Sequence, residues 1–263
     1  MKHEVLHPIG VRITEVDPAR LTAEDVEEFA TLLARHGVAV MPDREIDDDQ
    51  FLAFLRSFGD LMFTEGESPL DGYPDLNVIS NVGRATRPKS TFHVDTTYIE
   101  HPPAYTSLRA VEVPTTGGQT LFSDQYEAYD SLPAEIRADI DGRTVTHVVT
   151  GLDGFEDVSA KHPLVRVHPI SGRKALYLSA PARCVAVTGK TEAEAATLIR
   201  YLVEHSTRPE NVLEHSWSPG DLVIWDNRCV MHRADHSGVV GDRVMHRGMV
   251  AEFETSVDHR VDS

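Results

Sequence analysis

The chain has 263 residues, a formal net charge of −17 and two cysteines. That length suits one domain, 1–263, with a sizeable core, and the acidic balance argues against nucleic acid or an anionic membrane surface as partner. Cys184 and Cys229 give no disulfide framework, so both are expected to be free thiols in a reducing, cytoplasmic compartment.

The first residues, Met1 to Glu4, carry no apolar signal-type stretch. No run approaches the ~18 apolar residues of a membrane span, so a soluble protein without a cleaved export signal is expected. Two amphipathic helices should then open the chain. Thr22 can cap the first, with Asp25 in its first turn and Val26, Phe29, Ala30 and Leu33 at helical spacing, and it should end near Gly37. The second should start around Asp47–Asp49, whose acidity suits the positive end of a helix dipole, and carry Phe51, Leu52, Phe54, Leu55 and Phe58 before Gly59.

From about residue 75 the pattern changes to short β-rich runs. Leu76–Ser80, Tyr105–Val113, Thr144–Thr150, Leu164–His168, Ala175–Leu178, Asp221–Trp225 and Arg243–Phe253 are expected as strands. Residues 114–118, 171–173 and 218–221 carry turn chemistry. One late helix is expected where Thr191 and Glu194 form a capping box ahead of Leu198, Ile199, Leu202 and Val203. Many short strands with few helices suggest an antiparallel double-sheet jelly roll, mainly β, with the helices padding its outer face.

Two distant segments carry the chemistry. In His93-x-Asp95 the side chains lie two apart, and in an extended segment they point to one face, where both can reach one metal. With 14 histidines in the chain, that pair alone is a weak signal. The second segment is the apolar run Asp221–Trp225, halted by the polar turn Asp226-Asn227-Arg228 and followed by an extended stretch from His232. His232, His236 and His246 are candidates for a third ligand. His246 alternates against Arg247 and should point away, as a structural residue. His236 sits in a polar loop and should be exposed. His232 is the choice. Two imidazoles and one carboxylate form the facial set of a non-haem Fe(II) site with an open side.

Arg243 and Arg247 are four apart in the last strand, so both should face one side, ~13 Å apart along the chain. A buried arginine needs a partner, and its planar fork matches a carboxylate. The spacing suits gripping a small dicarboxylate or, more plainly, a pair of structural salt bridges. Thr120, after Gly117-Gly118-Gln119, can add a hydroxyl to the same carboxylate.

Segments 92–104 (FHVDTTYIEHPPA), 114–122 (PTTGGQTLF), 162–172 (HPLVRVHPISG), 218–228 (SPGDLVIWDNR) and 244–247 (VMHR) together carry a resemblance over nearly the whole chain. They resemble the taurine dioxygenase/aryloxyalkanoate (2,4-D) dioxygenase family of Fe(II)/2-oxoglutarate enzymes. The resemblance implies a double-stranded β-helix of cupin type. It implies Fe(II) held by His93, Asp95 and His232, with 2-oxoglutarate and O2 as cosubstrates. It implies that Thr120 and Arg243 bind the far carboxylate of 2-oxoglutarate, and that Arg247 lies near an anionic group of a small-molecule substrate. The family often forms dimers or tetramers. The retained carboxylate ligand favours hydroxylation, with desaturation as another oxidative outcome.

The chain departs from the taurine-specific pattern at three substrate-facing positions. Thr64 and Lys89 replace a histidine and an asparagine, and Ala182 replaces an aromatic side chain. The Thr150–His162 connection is also shortened. These changes disfavour taurine and suggest a roomier or more open pocket. Other classes would be a metal-dependent hydrolase or isomerase, a non-catalytic 2-oxoglutarate-binding protein, or a cofactor-free cupin-like binding protein. None of them requires the triad together with Arg243 and Thr120.

Overall fold

The computed structural model describes residues 1–83, 90–151, 154, 155 and 157–252. Its largest sheet has nine strands. Eight lie in the spatial order His3–Val5, Val11–Ile13, Val38–Met41, Leu222–Asp226, Pro103–Glu112, Val244–Ala251, Tyr73–Ser80 and Pro69–Leu70, and Leu61–Met62 pairs with Val244–Ala251. All pairings are antiparallel except Val11–Ile13 with Val38–Met41. A three-stranded sheet, Val212–His215, Thr120–Asp124 and Val230–Ala234, faces the large one. A second small sheet joins Ser159–Pro163, Thr144–Val148 and Cys184–Val187.

The central strands are buried on both faces, which is why they read as unbroken apolar runs. Val38, Val40, Val223, Trp225, Leu108 and Met245 pack with Phe122 and Val230 of the smaller sheet. The alternate residues Ala39, Met41, Leu222 and Ile224 pack outward against Phe29, Leu33, Phe51, Phe54 and Leu55 of two helices. Those helices are Ala23–His36 and Asp48–Arg56. Both begin in capping boxes, Thr22 with Asp25 and Asp47 with Gln50. The first ends at Gly37, whose φ of 69° suits a residue without Cβ. Gly248 serves a different end: a Cβ there would collide with Leu55, so the glycine lets the second helix lie flush on the sheet. The late helix runs Glu192–Ser206 with the expected Thr191/Glu194 box. The helices thus pad the outer face of a double sheet, as the sequence suggests.

Several elements differ from expectation. A short hairpin, His3–Val5 with Val11–Ile13, precedes the first helix. The strands Val38–Met41, Thr120–Asp124, Cys184–Val187 and Val212–His215 and the helices Gln125–Asp130 and Ala134–Ile140 have no counterpart in the sequence reading. Each is seven residues or fewer, too short for a periodic pattern to stand out. The run expected to Thr150 ends at Val148, and Leu164–His168 and Ala175–Leu178 shrink to Val165–Val167 and Lys174–Leu176. The expected end of the last strand, Phe253, lies outside the described residues. Cys184 and Cys229 are both free and buried. Among the described residues no helix is long and apolar enough to cross a membrane.

Candidate active site

His93 and His232 are brought side by side by the backbone. His93 N donates to His232 O at 3.0 Å and His232 N donates to His93 O at 2.9 Å, an isolated antiparallel bridge that extends the small sheet. Such a pair places both side chains on one face, and the two rings lie 4.3 Å apart. Asp95, two residues on, projects to the same place. One ligand atom from each of His93, Asp95 and His232 lies within 4.8 Å of the others. The sequence-derived triad therefore converges, and the donor set can hold a metal ion.

The partners of these groups fix which atoms face inward. His93 Nδ1 lies 2.8 Å from Thr91 O, which only accepts, so Nδ1 carries the proton and the Nε2 lone pair is free. Asp95 Oδ2 accepts from Thr106 Oγ1 at 2.8 Å, leaving Oδ1 toward the histidines. Thr106 Oγ1 accepts from Asn227 Nδ2 at 2.8 Å, and Asn227 Oδ1 accepts from Trp225 Nε1 at 3.1 Å. Trp225 pairs with Thr106 across the ladder, and its ring lies 4.5 Å from that of His232. A buried hydrogen-bond chain thus runs from one ligand to the neighbourhood of another. Burial lowers the His232 pKa to about 3, against the pull of Asp95, so the imidazole is neutral as a ligand must be. Burial alone would raise the Asp95 pKa; His232, His93 and Arg247 hold it well below the usual carboxylate range.

Thr106→Val keeps the shape and removes the hydroxyl. We expect ~10–100-fold weaker Fe(II) binding, measured by anaerobic metal titration, with the melting temperature as a folding control.

Arg243 lies beyond the histidines, 1% exposed. Its Nε donates to Gly118 O at 2.9 Å and its Nη2 to Thr120 Oγ1 at 3.3 Å, while Nη1 is buried without a partner. Among the described residues no carboxylate pairs with it, which removes the salt-bridge reading from this position. Burial lowers its pKa to about 10, so the cation persists at neutral pH. Gly118 has φ 78°, and a Cβ there would meet Arg243 Cδ at 3.0 Å. Trp217 Nε1 donates to Thr120 Oγ1 at 3.0 Å. Arg243, Thr120, His93, His232 and Arg247 line one cavity of ≈ 190 Å³. An unpaired buried guanidinium beside three converging ligand atoms fits a dicarboxylate that would chelate a metal held there at its other end.

Arg247 faces the same cavity, as the alternation in its strand requires. Its Nη1 lies 3.9 Å from Asp95 Oδ1, its Nε donates to Asn77 Oδ1 at 3.0 Å, and its Nη2 donates to Glu67 Oε2 at 2.5 Å. Thr64 is buried, with Oγ1 3.5 Å from Thr96 Oγ1, one residue past the Asp95 ligand. Ala182 is exposed in the turn before Cys184 and does not line the cavity. Lys89 lies outside the described residues.

His246 is structural as expected: it turns away from the cavity, and its Nδ1 sits 2.7 Å from Asp48 Oδ1. His236 is a correction: it is half-buried and lines the cavity with Arg243 and Arg247. The sequence reading also missed Thr106, Asn77 and Glu67. Thr106 stands in a strand with no local mark of its partner Asn227, 121 residues away. Asn227 was visible only as part of a polar turn.

A second cluster, His168, Asp226 and Cys229, has ligand-like spacing but is closed. Asp226 Oδ1 accepts from Arg228 Nε at 2.8 Å, and Oδ2 accepts from Arg228 Nη2 at 2.6 Å and lies 2.9 Å from His168 Nε2. His168 Nδ1 accepts from the Ile170 and Ser171 amides, so Nε2 is the donor. Burial would raise the Asp226 pKa, but Arg228 and His168 hold it far below the usual range. Its ion pair therefore stabilises the fold fully above the unfolded carboxyl pKa of ~3.9 and is lost as pH falls below that value. Asp226→Asn should cost ~3 kcal/mol by leaving Arg228 buried and unpaired, read from the denaturant midpoint at neutral pH.

Comparison with known proteins places this geometry among relatives. The family model described as taurine catabolism dioxygenase TauD, TfdA family matches residues 2–249. An alpha-ketoglutarate-dependent 2,4-dichlorophenoxyacetate dioxygenase from Cupriavidus pinatubonensis is 33% identical, over 92% of this chain and 94% of that protein. An (S)-phenoxypropionate/alpha-ketoglutarate-dioxygenase from Sphingobium herbicidovorans is 29% identical, over 95% and 93%. The crystal structure of a taurine dioxygenase from Burkholderia xenovorans superposes with a TM-score of 0.84 at 32% identity, covering 96% of this chain and 91% of that one.

Proposed function

We propose, for a chain that belongs to the TauD, TfdA dioxygenase family, that its substrate is a small organic acid with an apolar body, oxidised at an unactivated C–H. The protein is an alpha-ketoglutarate-dependent dioxygenase that uses Fe(II), 2-oxoglutarate and O2. Bound iron supplies O2 activation coupled to decarboxylation of 2-oxoglutarate, giving succinate and CO2. The hydrolase, isomerase and pure binding alternatives have no observation in their favour.

In this proposal His93 Nε2, Asp95 Oδ1 and His232 Nε2 hold the iron on one face. Arg243 and Thr120 take the far carboxylate of 2-oxoglutarate, and Arg243 Nη1, buried without a partner, is the observation that carries the assignment. Arg247 takes the anion of the substrate, beside Asp95. Thr64 borders that position. The names of the relatives support the acid class: two act on aryloxyalkanoates. Two buried free thiols support a cytoplasmic location.

The test is succinate release, under air with Fe(II) and 2-oxoglutarate, across aryloxyacetates, aryloxypropionates, alkylsulfonates and their uncharged amide analogues. The acids should stimulate release well above the substrate-free background. Equal stimulation by the amides would overturn the anionic substrate class.

A further inference from the structure

Arg247 already carries an anion. Glu67 Oε2 sits 2.5 Å from its Nη2, and Asn77 binds both partners, donating from Nδ2 to the same Glu67 oxygen and accepting from Arg247 Nε at 3.0 Å. We propose that Glu67 is an internal competitor for the anion subsite of Arg247, so that an acid enters only if its apolar body adds contacts a bare anion lacks. The inference rests on Arg247 being the anion contact assigned above.

Geometry decides which carboxylate gives way. One guanidinium faces two of them, since Asp95 Oδ1 is 3.9 Å from Nη1. Asp95 is 5% exposed and tied by Thr106, whereas the Glu67 side chain is 27% exposed. A third anion at this fork displaces Glu67. That residue sits at the end of a tight turn, with its amide donating to Thr64 O at 3.2 Å, and the strand Pro69–Leu70 that follows pairs with the strand of Asn77. The carboxylate is therefore tethered close to its arginine.

A tethered carboxylate acts as an intramolecular ligand at millimolar effective concentration. A free carboxylate makes the same fork contacts, so the contacts cancel and the tether wins. The apparent affinity of an outside acid falls by the fraction of Arg247 left free. Acetate or sulfate has nothing to offset that loss. An aryloxy acid adds buried apolar area and overcomes it. Glu67 thus filters ligands at the same arginine that receives them.

The experiment is calorimetric titration of phenoxyacetate, and separately of acetate, into the anaerobic Fe(II)/2-oxoglutarate-loaded protein. Wild type, Glu67→Gln, Arg247→Ala and the double variant are compared, with thermal melts to confirm folding and Glu67→Ala in reserve if the Gln variant misfolds. Glu67→Gln should bind phenoxyacetate about ten-fold more tightly and gain measurable acetate binding, and both gains should vanish in the double variant. If Arg247→Ala weakens binding but Glu67→Gln leaves it unchanged or weaker, the competitor role is overturned and the anion subsite stands. If Arg247→Ala changes nothing, the subsite itself is wrong and the competitor falls with it. Absence of binding by both wild type and Glu67→Gln also overturns the proposal, because a freed arginine fork should capture a carboxylate.

Discussion

Replacing Asp95 with alanine is expected to abolish succinate release coupled to substrate oxidation. Of the three groups proposed to hold the metal, this one is the sole anion. Removing it leaves two imidazoles on one side, and the Thr106 hydroxyl loses its acceptor as well. The carboxylate is buried and held well below its ordinary pKa range by His232, His93 and Arg247, although burial opposes this. It is therefore anionic at every working pH, and no proton has to leave before a cation binds. Anaerobic Fe(II) titration should show lost or much weakened binding, and turnover should stay at background at any 2-oxoglutarate concentration. A fully active Asp95→Ala protein would sink the triad assignment.

Arg243→Met should weaken 2-oxoglutarate binding by ~4 kcal/mol, about a thousand-fold, while Fe(II) binding stays near the wild-type value. Among the described residues the guanidinium is buried without a carboxylate of its own, so the fold bears the desolvation of a cation that a ligand carboxylate would compensate. Methionine removes that charge and keeps much of the stem's volume against Trp217 and Gly118. The variant should therefore fold, and it should be more stable than wild type in the absence of 2-oxoglutarate. Direct titration of 2-oxoglutarate into the Fe(II)-loaded protein measures the first effect, and thermal melts with and without 2-oxoglutarate measure the second. An unchanged dissociation constant would return Arg243 to a structural role.

The parts of this molecule that were legible in the sequence share a property: their signal is local. The helices announce themselves through the Thr22 and Thr191 caps, the acidic start Asp47–Asp49 and a 3.6-residue apolar repeat. His93-x-Asp95 and the Arg243/Arg247 spacing follow from the strand period of two. Choosing His232 rested on two local marks, the alternation of His246 against Arg247 and the polar loop around His236. What was hidden depends on pairing at long range. Thr106 looks like any strand threonine until Asn227 and Asp95 are folded onto it. Glu67 lies in an unremarkable polar stretch and acquires its role only where the final strand crosses Asn77. His236 reads as exposed because its neighbours are polar, and Ser237 and Gly238 are exposed, yet its own side chain is half-buried and lines the cavity. Ala182 follows the shortened Thr150–His162 connection, which shifts the register with the taurine-specific pattern, and it lies in an exposed turn.

The central claim, one site that holds iron and 2-oxoglutarate together, is tested most directly by anaerobic addition of Fe(II) and then 2-oxoglutarate to the metal-free protein. The readout is the weak visible metal-to-ligand charge-transfer band of a chelated keto acid. Wild type should develop the band, and His232→Ala should not. A wild-type protein that loads iron but shows no band would contradict the account.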